Sequence, residues 1–183
     1  MARTRARLGR MTLVLGVLIL FSVIAFGRVS SGGDDPVTAG DGAIEQRAGQ
    51  WYATATLALT SVDVERVIDG DTLDVQALST LLRVRVFGID TPERGERCAE
   101  AATTRLTALT VGGVQLLADE RLRDSVGREL RYLFTPAGLS IDAVMIEEGL
   151  AHAWREDGAL RDVLVATEDG ARSARRGCLW ADG

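Results

Sequence analysis

Hydrophobic and polar residues alternate in several short segments of the middle of the chain, as half-buried β-strands require. In the third of these segments Val84 and Val86 face one side, whereas Arg83 and Arg85 face the other. The five predicted strands are SVDVERVI (61–68), a segment around Leu73 and Val75, RVRVFGI (83–89), VQLLA (114–118) and ELRYLF (129–134).

Apolar residues at helical spacing predict three helices, over residues 96–110, 141–148 and 158–176. Glycines follow the first two of these segments and mark their ends. Five short strands with a helix between the third and fourth match an OB-type barrel. The predicted fold class is therefore α+β, mainly β: a five-stranded OB-fold β-barrel with three helices, preceded by an N-terminal hydrophobic helix.

The N-terminal hydrophobic segment, Met11 to Gly27, has 17 residues without a charge and follows four arginines. Its length is at the lower limit for crossing a bilayer, and the basic flank predicts that the rest of the chain lies outside the cytoplasm. Ala25-Phe26-Gly27 also resembles the small-residue pattern of a cleaved signal peptide. Residues 1–27 are therefore interpreted as a signal peptide or an N-terminal transmembrane anchor, and both predict an extracytoplasmic protein, secreted or membrane-anchored.

The segment after it, residues 28–50, is rich in glycine and has no hydrophobic periodicity, which predicts a flexible linker. The folded domain is expected over residues 51–183.

The charge of the 183-residue chain is unevenly distributed. Lysine is absent, and 21 arginines stand against 26 acids, giving a formal net charge of −5. From residue 51 onward there are 15 arginines and 22 acids, a balance of −7. Because non-specific affinity for nucleic acid comes mainly from phosphate neutralisation, any such function must work through local arginines or a metal.

Three segments concentrate the residues that phosphodiester hydrolysis needs: DGDT (69–72), RVRVFGIDTPE (83–93) and DSVGRELRY (124–132). A hard cation with carboxylate ligands neutralises charge and positions water, and two arginines bind the phosphate oxygens. A further carboxylate orients or deprotonates the water. Arg85 and Asp90 stand five residues apart, so a bulge or turn near Gly88 is needed to bring them together. Each segment taken alone is equally well explained by ordinary turn chemistry.

In this order, the motifs VIDGDT (67–72), VFGIDTPE (86–93), VGR (126–128), IDAVMIEEGLA (141–151) and LW (179–180) resemble the staphylococcal nuclease, or thermonuclease-like, family. The resemblance covers residues 55 to 180. It implies a calcium-dependent phosphodiesterase that acts on DNA and RNA.

The resemblance also implies a role for each matching residue. The Ca²⁺ ligands fall on Asp71, Asp90 and the carbonyl of Thr91, with Asp69 behind them in the same turn. Glu93 falls on the general base or water-orienting residue. The arginines that stabilise the transition state fall on Arg85 and Arg128.

The sequence departs from the family pattern beside the second arginine and after GLA. Val126 stands where the family commonly has tyrosine, and Ser125 where a basic residue often assists phosphate binding. HAWRED (152–157) replaces a segment that often holds nucleotide-contacting tyrosines, which leaves Trp154 and Arg155 as candidates for a stacking or phosphate contact. These departures bear on substrate affinity.

Cys98 and Cys178 are the two cysteines of the chain. In an exported protein a disulfide between them is the natural expectation, and a free buried thiol pair is the alternative.

The sequence therefore predicts an exported calcium-dependent nuclease that is a monomer without an obligate protein partner. The membrane is a partner only if the N-terminal segment is uncleaved. The alternatives are a non-catalytic OB module that binds nucleic acid or protein at the cell surface, and a surface interaction domain.

Overall fold

The computed structural model describes residues 43–55 and 57–181, which contain nine strands and four helices. The strands are β1 (Ile44–Arg47), β2 (Gln50–Ala53), β3 (Thr60–Val67), β4 (Thr72–Ala77), β5 (Thr80–Val86), β6 (Ile89–Asp90), β7 (Val114–Leu117), β8 (Glu129–Phe134) and β9 (His152–Ala153). The helices are α1 (Ala99–Leu109), α2 (Ile141–Glu147), α3 (Arg161–Ser173) and α4 (Gly177–Trp180).

Five strands close a barrel in the order β3-β4-β5-β8-β7, which confirms the predicted architecture. All neighbours in it are antiparallel except β5 and β8, which run parallel. The barrel strands each point apolar side chains into one shared core. Leu73, Val75, Val84 and Val86 are fully buried there.

The three longer helices lie within a few residues of the predicted segments. Ser140 begins α2 because its Oγ accepts a hydrogen bond from the N–H of Ala143, satisfying one open donor of the first turn. The α1 helix starts after Cys98, whose sulfur is bonded to that of Cys178 in α4. The predicted disulfide is therefore confirmed, and it joins the start of α1 to the carboxyl-terminal end of the domain.

The predicted linker is wrong at its carboxyl-terminal end. Residues 44–50 are not a flexible tether, because β1 and β2 form an antiparallel hairpin that begins the domain earlier than residue 51. Ala43 and Ile44 are buried, and the N–H of Ser140 donates to the carbonyl of Trp51, so the hairpin is held against the start of α2. Few side chains of the hairpin are buried, so its sequence shows no hydrophobic periodicity from which the two strands could be predicted.

The predicted signal or anchor segment, residues 1–27, and the linker up to residue 42 lie outside the described residues. Among the helices that the structure describes, none combines the length and the apolar character needed to cross a membrane.

Candidate active site

The DGDT turn connects β3 to β4 and holds its acidic residues in a fixed loop. Both Ile68 and Asp69 donate their N–H groups to the carbonyl of Thr72, and the Asp69 carboxylate accepts the N–H of Asp71 at 3.1 Å. A side chain does not fit at Gly70, because a Cβ there would lie 2.7 Å from the Thr91 hydroxyl. This glycine therefore lets the turn approach the segment that carries Thr91.

A second turn brings Arg85 and Asp90 together, as expected from their spacing. Phe87 and Gly88 form the turn between β5 and β6. A Cβ at Gly88 would lie 2.4 Å from Leu164 and 2.7 Å from the carboxylate of Asp142, so only glycine fits between them. That Asp142 carboxylate accepts the Gly88 N–H at 3.0 Å and fixes the turn from below.

The guanidinium of Arg85 lies between two carboxylates. Its Nη2 is 2.6 Å from Oδ1 of Asp90 and 3.5 Å from Oδ2 of Asp71. Its Nη1 donates to the carbonyls of Val86 and Ile89, which keeps the guanidinium at the start of β6. Arg85 is 14% exposed and Asp90 is 55% exposed, so the ion pair has one side open to solvent.

Asp71 is the more buried of the two carboxylates. Its Oδ2 accepts hydrogen bonds from both the N–H and the hydroxyl of Thr91 at 3.1 Å, and its Oδ1 accepts the Thr72 hydroxyl at 3.0 Å. Burial raises the pKa of Asp71, an effect that the positive charge of Arg85 and the Thr91 N–H oppose and that Asp69 reinforces. One positive charge therefore does not fully compensate this group of acids.

The donor set suits a hard cation. Asp71 and Asp90 present oxygen to the same small volume, since oxygens of both lie within 3.5 Å of one guanidinium nitrogen. Within residues 43–55 and 57–181 there is no group of three or more histidine, cysteine, aspartate or glutamate side chains placed to hold a metal. A cation at this site would therefore take two carboxylates and complete its shell with backbone carbonyl and water oxygens, which is an ordinary arrangement for Ca²⁺.

Glu93 lies on the loop between β6 and α1. Its side chain is exposed, and its backbone N–H donates to the carboxylate of Glu96 at 2.8 Å. No hydrogen bond or ion pair among the described residues joins the Glu93 carboxylate to the Asp71–Arg85–Asp90 group. Its role as the water-orienting group stays a prediction.

Arg128 is held by its own loop. The Asp124 carboxylate accepts the backbone N–H of Arg128 at 2.9 Å and its Nε at 2.5 Å. Although burial opposes it, the hydrogen bonds from Arg128 and Val126 lower the pKa of Asp124 overall. Glu129, the residue after Arg128, begins β8 and is paired with Val84 in the parallel β5–β8 ladder. Arg128 therefore lies at the start of the strand next to β5, which carries Arg85.

Trp154 is the residue of the HAWRED segment that reaches the site. The guanidinium carbon of Arg85 lies 5.6 Å from the centre of the Trp154 ring, and that of Arg121 lies 5.8 Å away. The indole Nε1 donates to Asp157 at 2.8 Å, and Asp157 also binds Arg121. Of the two residues considered from the sequence, Trp154 contacts the site, whereas Arg155 pairs with Glu168 elsewhere.

Sequence reasoning did not find the two acids that support this geometry from a distance. Asp142 fixes the Gly88 turn, and Glu168 accepts the N–H of Ala153, which pairs with Ile89 in the β6–β9 ladder. Both read as surface acids of amphipathic helices. Their only sequence signal is position: each stands on a helix face otherwise occupied by apolar residues.

Comparison with known proteins finds one matching family and several similar nucleases. The model of a family described as staphylococcal nuclease homologue matches residues 83–182. A micrococcal nuclease of Shigella flexneri is 35% identical over 129 residues, 66% of this chain and 73% of the relative. An uncharacterized endonuclease of Escherichia coli O157:H7 is 31% identical over 65% of this chain and 76% of its own length. Endonuclease YncB of Bacillus subtilis (strain 168) is 32% identical over 58% of this chain and 54% of its own length.

Proposed function

The chain belongs to the staphylococcal nuclease family, and on that premise we propose that it is an exported, calcium-dependent enzyme that hydrolyses phosphodiester bonds in DNA and RNA. It is a nuclease, a hydrolase of the phosphodiester bond. The observation that carries the calcium part is the guanidinium of Arg85, which lies close to two carboxylates. Two negative charges there face one positive charge, so the group has an excess of negative charge.

Calcium would be held by Asp71, Asp90 and the carbonyl of Thr91, with Asp69 fixing the turn behind them. When bound, the cation supplies charge neutralisation for the phosphate oxygens and orders a water molecule. The raised pKa of Asp71 supports this assignment, because burial makes its charge costly and the positive charge of Arg85 offsets that cost only in part.

Arg85 and Arg128 bind the phosphate. The extra negative charge of a pentacoordinate phosphorus develops on its equatorial oxygens, where a guanidinium offers two parallel N–H donors. Arg85 is kept in place by the carbonyls of Val86 and Ile89, and Arg128 by Asp124, which supports two guanidiniums that are ordered before substrate binds. Preorganised donors of this kind stabilise the transition state more than the bound substrate.

Glu93 orients or deprotonates the attacking water. Its exposed position in the loop after Thr91 supports this role, since an exposed carboxylate two residues from the proposed ligand Thr91 is open to water. A non-catalytic module that only bound nucleic acid would not need this carboxylate.

Export is supported by two independent features. The basic flank and apolar run of residues 1–27 have the pattern of a signal peptide or membrane anchor, and the Cys98–Cys178 disulfide belongs to an oxidising compartment. N-terminal sequencing of the protein recovered from outside the cytoplasm distinguishes the two forms: a chain beginning after residue 27 means cleavage, and an intact Met1 means an anchor. Recovery only from the cytoplasm would contradict export.

Digestion of plasmid DNA and of RNA tests the catalytic proposal. We expect cleavage with Ca²⁺, none with EGTA, and a loss of about a hundredfold in kcat for Glu93→Gln. Glu100→Gln, an exposed acid on α1, is the matched control and should cleave like the unaltered protein. Undiminished cleavage in EGTA would contradict the calcium proposal, and full activity of Glu93→Gln would remove Glu93 from its role. Absence of cleavage under every condition would favour the non-catalytic binding module.

A further inference from the structure

A row of charged residues crosses the outer face of the barrel beside Arg85. The register pairs Arg66 of β3 with Asp74 of β4, and Asp74 with Arg83 of β5. The Asp74 carboxylate accepts Nε of Arg66 at 2.9 Å and Nε of Arg83 at 2.8 Å. Two cations therefore share one anion, and this arginine row (Arg66, Asp74 and Arg83) has an excess of positive charge in a domain that is acidic overall.

A bulge in β3 creates the row. The pairing of β3 with β4 shifts between Val64 and Arg66, so that Glu65 is the extra residue. Without the shift, Glu65 would stand opposite Asp74 and place two carboxylates together; with it, Arg66 takes that position. Glu65 and Arg66 are both exposed, in agreement with the interrupted alternation of the strand.

The arginines of the row are ordered and still accessible. Asp74 is 3% exposed, whereas Arg66 is 62% and Arg83 is 49% exposed. Within the part of the chain that the structure describes, Arg66 uses only Nε, and Arg83 uses Nε and Nη2, so further N–H groups of both remain available. A buried carboxylate beneath exposed guanidiniums lowers the entropy lost when those groups bind an anion.

The row continues directly into the proposed phosphate site. Arg83 and Arg85 lie on the same side of β5, roughly 7 Å apart by the repeat of a strand. At the edge of β5 that pairs with β8, Arg128 immediately precedes Glu129, the partner of Val84. Thr72 of the DGDT turn is paired with Arg85, and Asp74 is paired with Arg83 two residues further along β4, so the row lies next to this turn.

We propose that Arg66 and Arg83 bind a backbone phosphate of the substrate strand outside the scissile bond, extending the binding site of this nuclease along β5, β4 and β3. This inference rests on the proposed function. The ligand is the phosphodiester backbone of a single-stranded polynucleotide, since a row of guanidiniums on a strand face matches an extended chain of phosphates and reads no base. A dinucleotide is too short to reach the row, and a longer strand does reach it.

The test uses a variant that removes the row without leaving a buried charge. Arg66→Gln/Asp74→Asn/Arg83→Gln is neutral and lowers the net charge by one unit. Arg176→Gln lowers it by the same amount at a residue that pairs with Glu147 of α2, and it is the matched control. Both are assayed with the full chain and calcium on a dinucleotide and on single-stranded DNA and RNA of about 12 nucleotides, a length within the reach of one OB fold.

For the triple variant we expect KM for the longer strands to rise about tenfold, while kcat stays within about twofold. The slope of log kcat/KM against log salt should flatten by about 0.7, since the row binds one phosphate and each phosphate neutralised on a single strand contributes about 0.7. Dinucleotide hydrolysis should be unchanged. A rise in KM for DNA alone or for RNA alone identifies which polymer the row binds, and either result supports the proposal.

An unchanged KM and salt slope in the triple variant, or an equal KM increase in Arg176→Gln, would overturn the proposal. If the triple variant does not fold, Asp74→Asn alone gives a test of opposite sign: it keeps both arginines, removes the competing anion and should lower KM for the longer strand. A raised KM would count against the proposal. If the unaltered protein cleaves nothing, the proposed function fails separately, and fluorescence anisotropy of the labelled strand still measures whether the row binds it.

Discussion

Two clusters of arginine, carboxylate and tryptophan meet at the neighbouring strands β6 and β9 and have opposite charge balances. The Asp90 cluster consists of Asp71, Arg85, Asp90 and Trp154. The Glu168 cluster consists of His152, Arg155, Glu168, Arg172 and Trp180. They meet in the β6–β9 ladder, where Asp90 is paired with His152. In each cluster an arginine also lies over an indole ring.

The ratio of acids to bases separates the two clusters. In the Asp90 cluster two carboxylates share a single guanidinium, so negative charge is in excess. In the Glu168 cluster one carboxylate, 1% exposed, accepts hydrogen bonds from Arg155, Arg172 and the Ala153 N–H and contacts His152. The first group can still take a cation, whereas the second is fully satisfied by protein and serves to hold α3 against β9.

The pKa shifts of the two acids follow the same division. Burial dominates at Asp71 and raises its pKa. Burial also acts on Glu168, but the hydrogen bonds from His152 and Ala153, together with the charge of Arg155, outweigh it and lower the pKa. Two buried carboxylates thus shift in opposite directions, because only one of them has enough donors.

The largest expected effect comes from removing the shared cation of the Asp90 cluster. Arg85→Gln should lower kcat about a thousandfold, since it deletes a preorganised donor to the phosphate. The measurement is kcat on saturating DNA with calcium, with circular dichroism to confirm the fold. Arg105→Gln, which breaks the half-exposed pair with Glu148 at the end of α2, is the control and should keep full activity. Activity retained in Arg85→Gln would show that the cluster is structural.

The equivalent change in the other cluster should affect stability and not chemistry. Glu168→Gln is expected to lower the free energy of unfolding by about 3 kcal/mol, because it removes the anion that compensates two arginines around a buried position. Urea denaturation measures this. At temperatures where the variant is folded, kcat should stay within about threefold of the unaltered protein. A large loss of kcat without a loss of stability would erase the distinction between the clusters.

A smaller, pH-dependent effect is expected at Asp142, which supports the turn before Asp90. Burial raises the pKa of Asp142 to about 7, against the hydrogen bonds from Leu133 and Gly88. The folded protein therefore holds this proton more tightly than the unfolded chain, and its stability falls as pH rises between about 4 and 7. The amide introduced by Asp142→Asn does not titrate, so the stability advantage of the unaltered protein over this variant should shrink by about 2 kcal/mol from about pH 5 to about pH 8.

Urea denaturation of both proteins at the two pH values measures that difference, and it cancels the titration of groups that they share. A constant difference would mean that Asp142 stays ionised across the range and that its two backbone N–H donors outweigh burial.

The smallest effect separates the two tryptophans. Trp154→Leu should lower kcat/KM about fivefold, because Arg85 loses the ring on which its guanidinium rests. Trp180→Leu removes the ring under Arg172 and should reduce stability while leaving kcat/KM unchanged. Steady-state kinetics and thermal melts of both variants test this. Equal losses of activity would show that neither ring acts on the site specifically.

Much of the fold followed from the sequence pattern. The alternation over 83–89 placed Arg85 outside the barrel and Val84 inside, and the five-residue spacing to Asp90 required a turn at Gly88; the structure has both. The hairpin of residues 44–53 was missed because only a few of its side chains are buried, and local periodicity cannot register contacts made with the distant turn before α2.

The site divides in the same way. Residue type, together with the family resemblance in the order of the motifs, predicted which acids and arginines would carry the chemistry, because hard-cation binding and phosphate binding each need particular functional groups. Only the tertiary structure decided how many carboxylates each arginine serves. That ratio depends on a bulge at Glu65, a turn at Gly88 and the β6–β9 pairing, which join residues far apart in the chain. Asp74 and Glu168 look like ordinary surface acids in the sequence, and their burial beneath arginines is a property of packing between strands and helices.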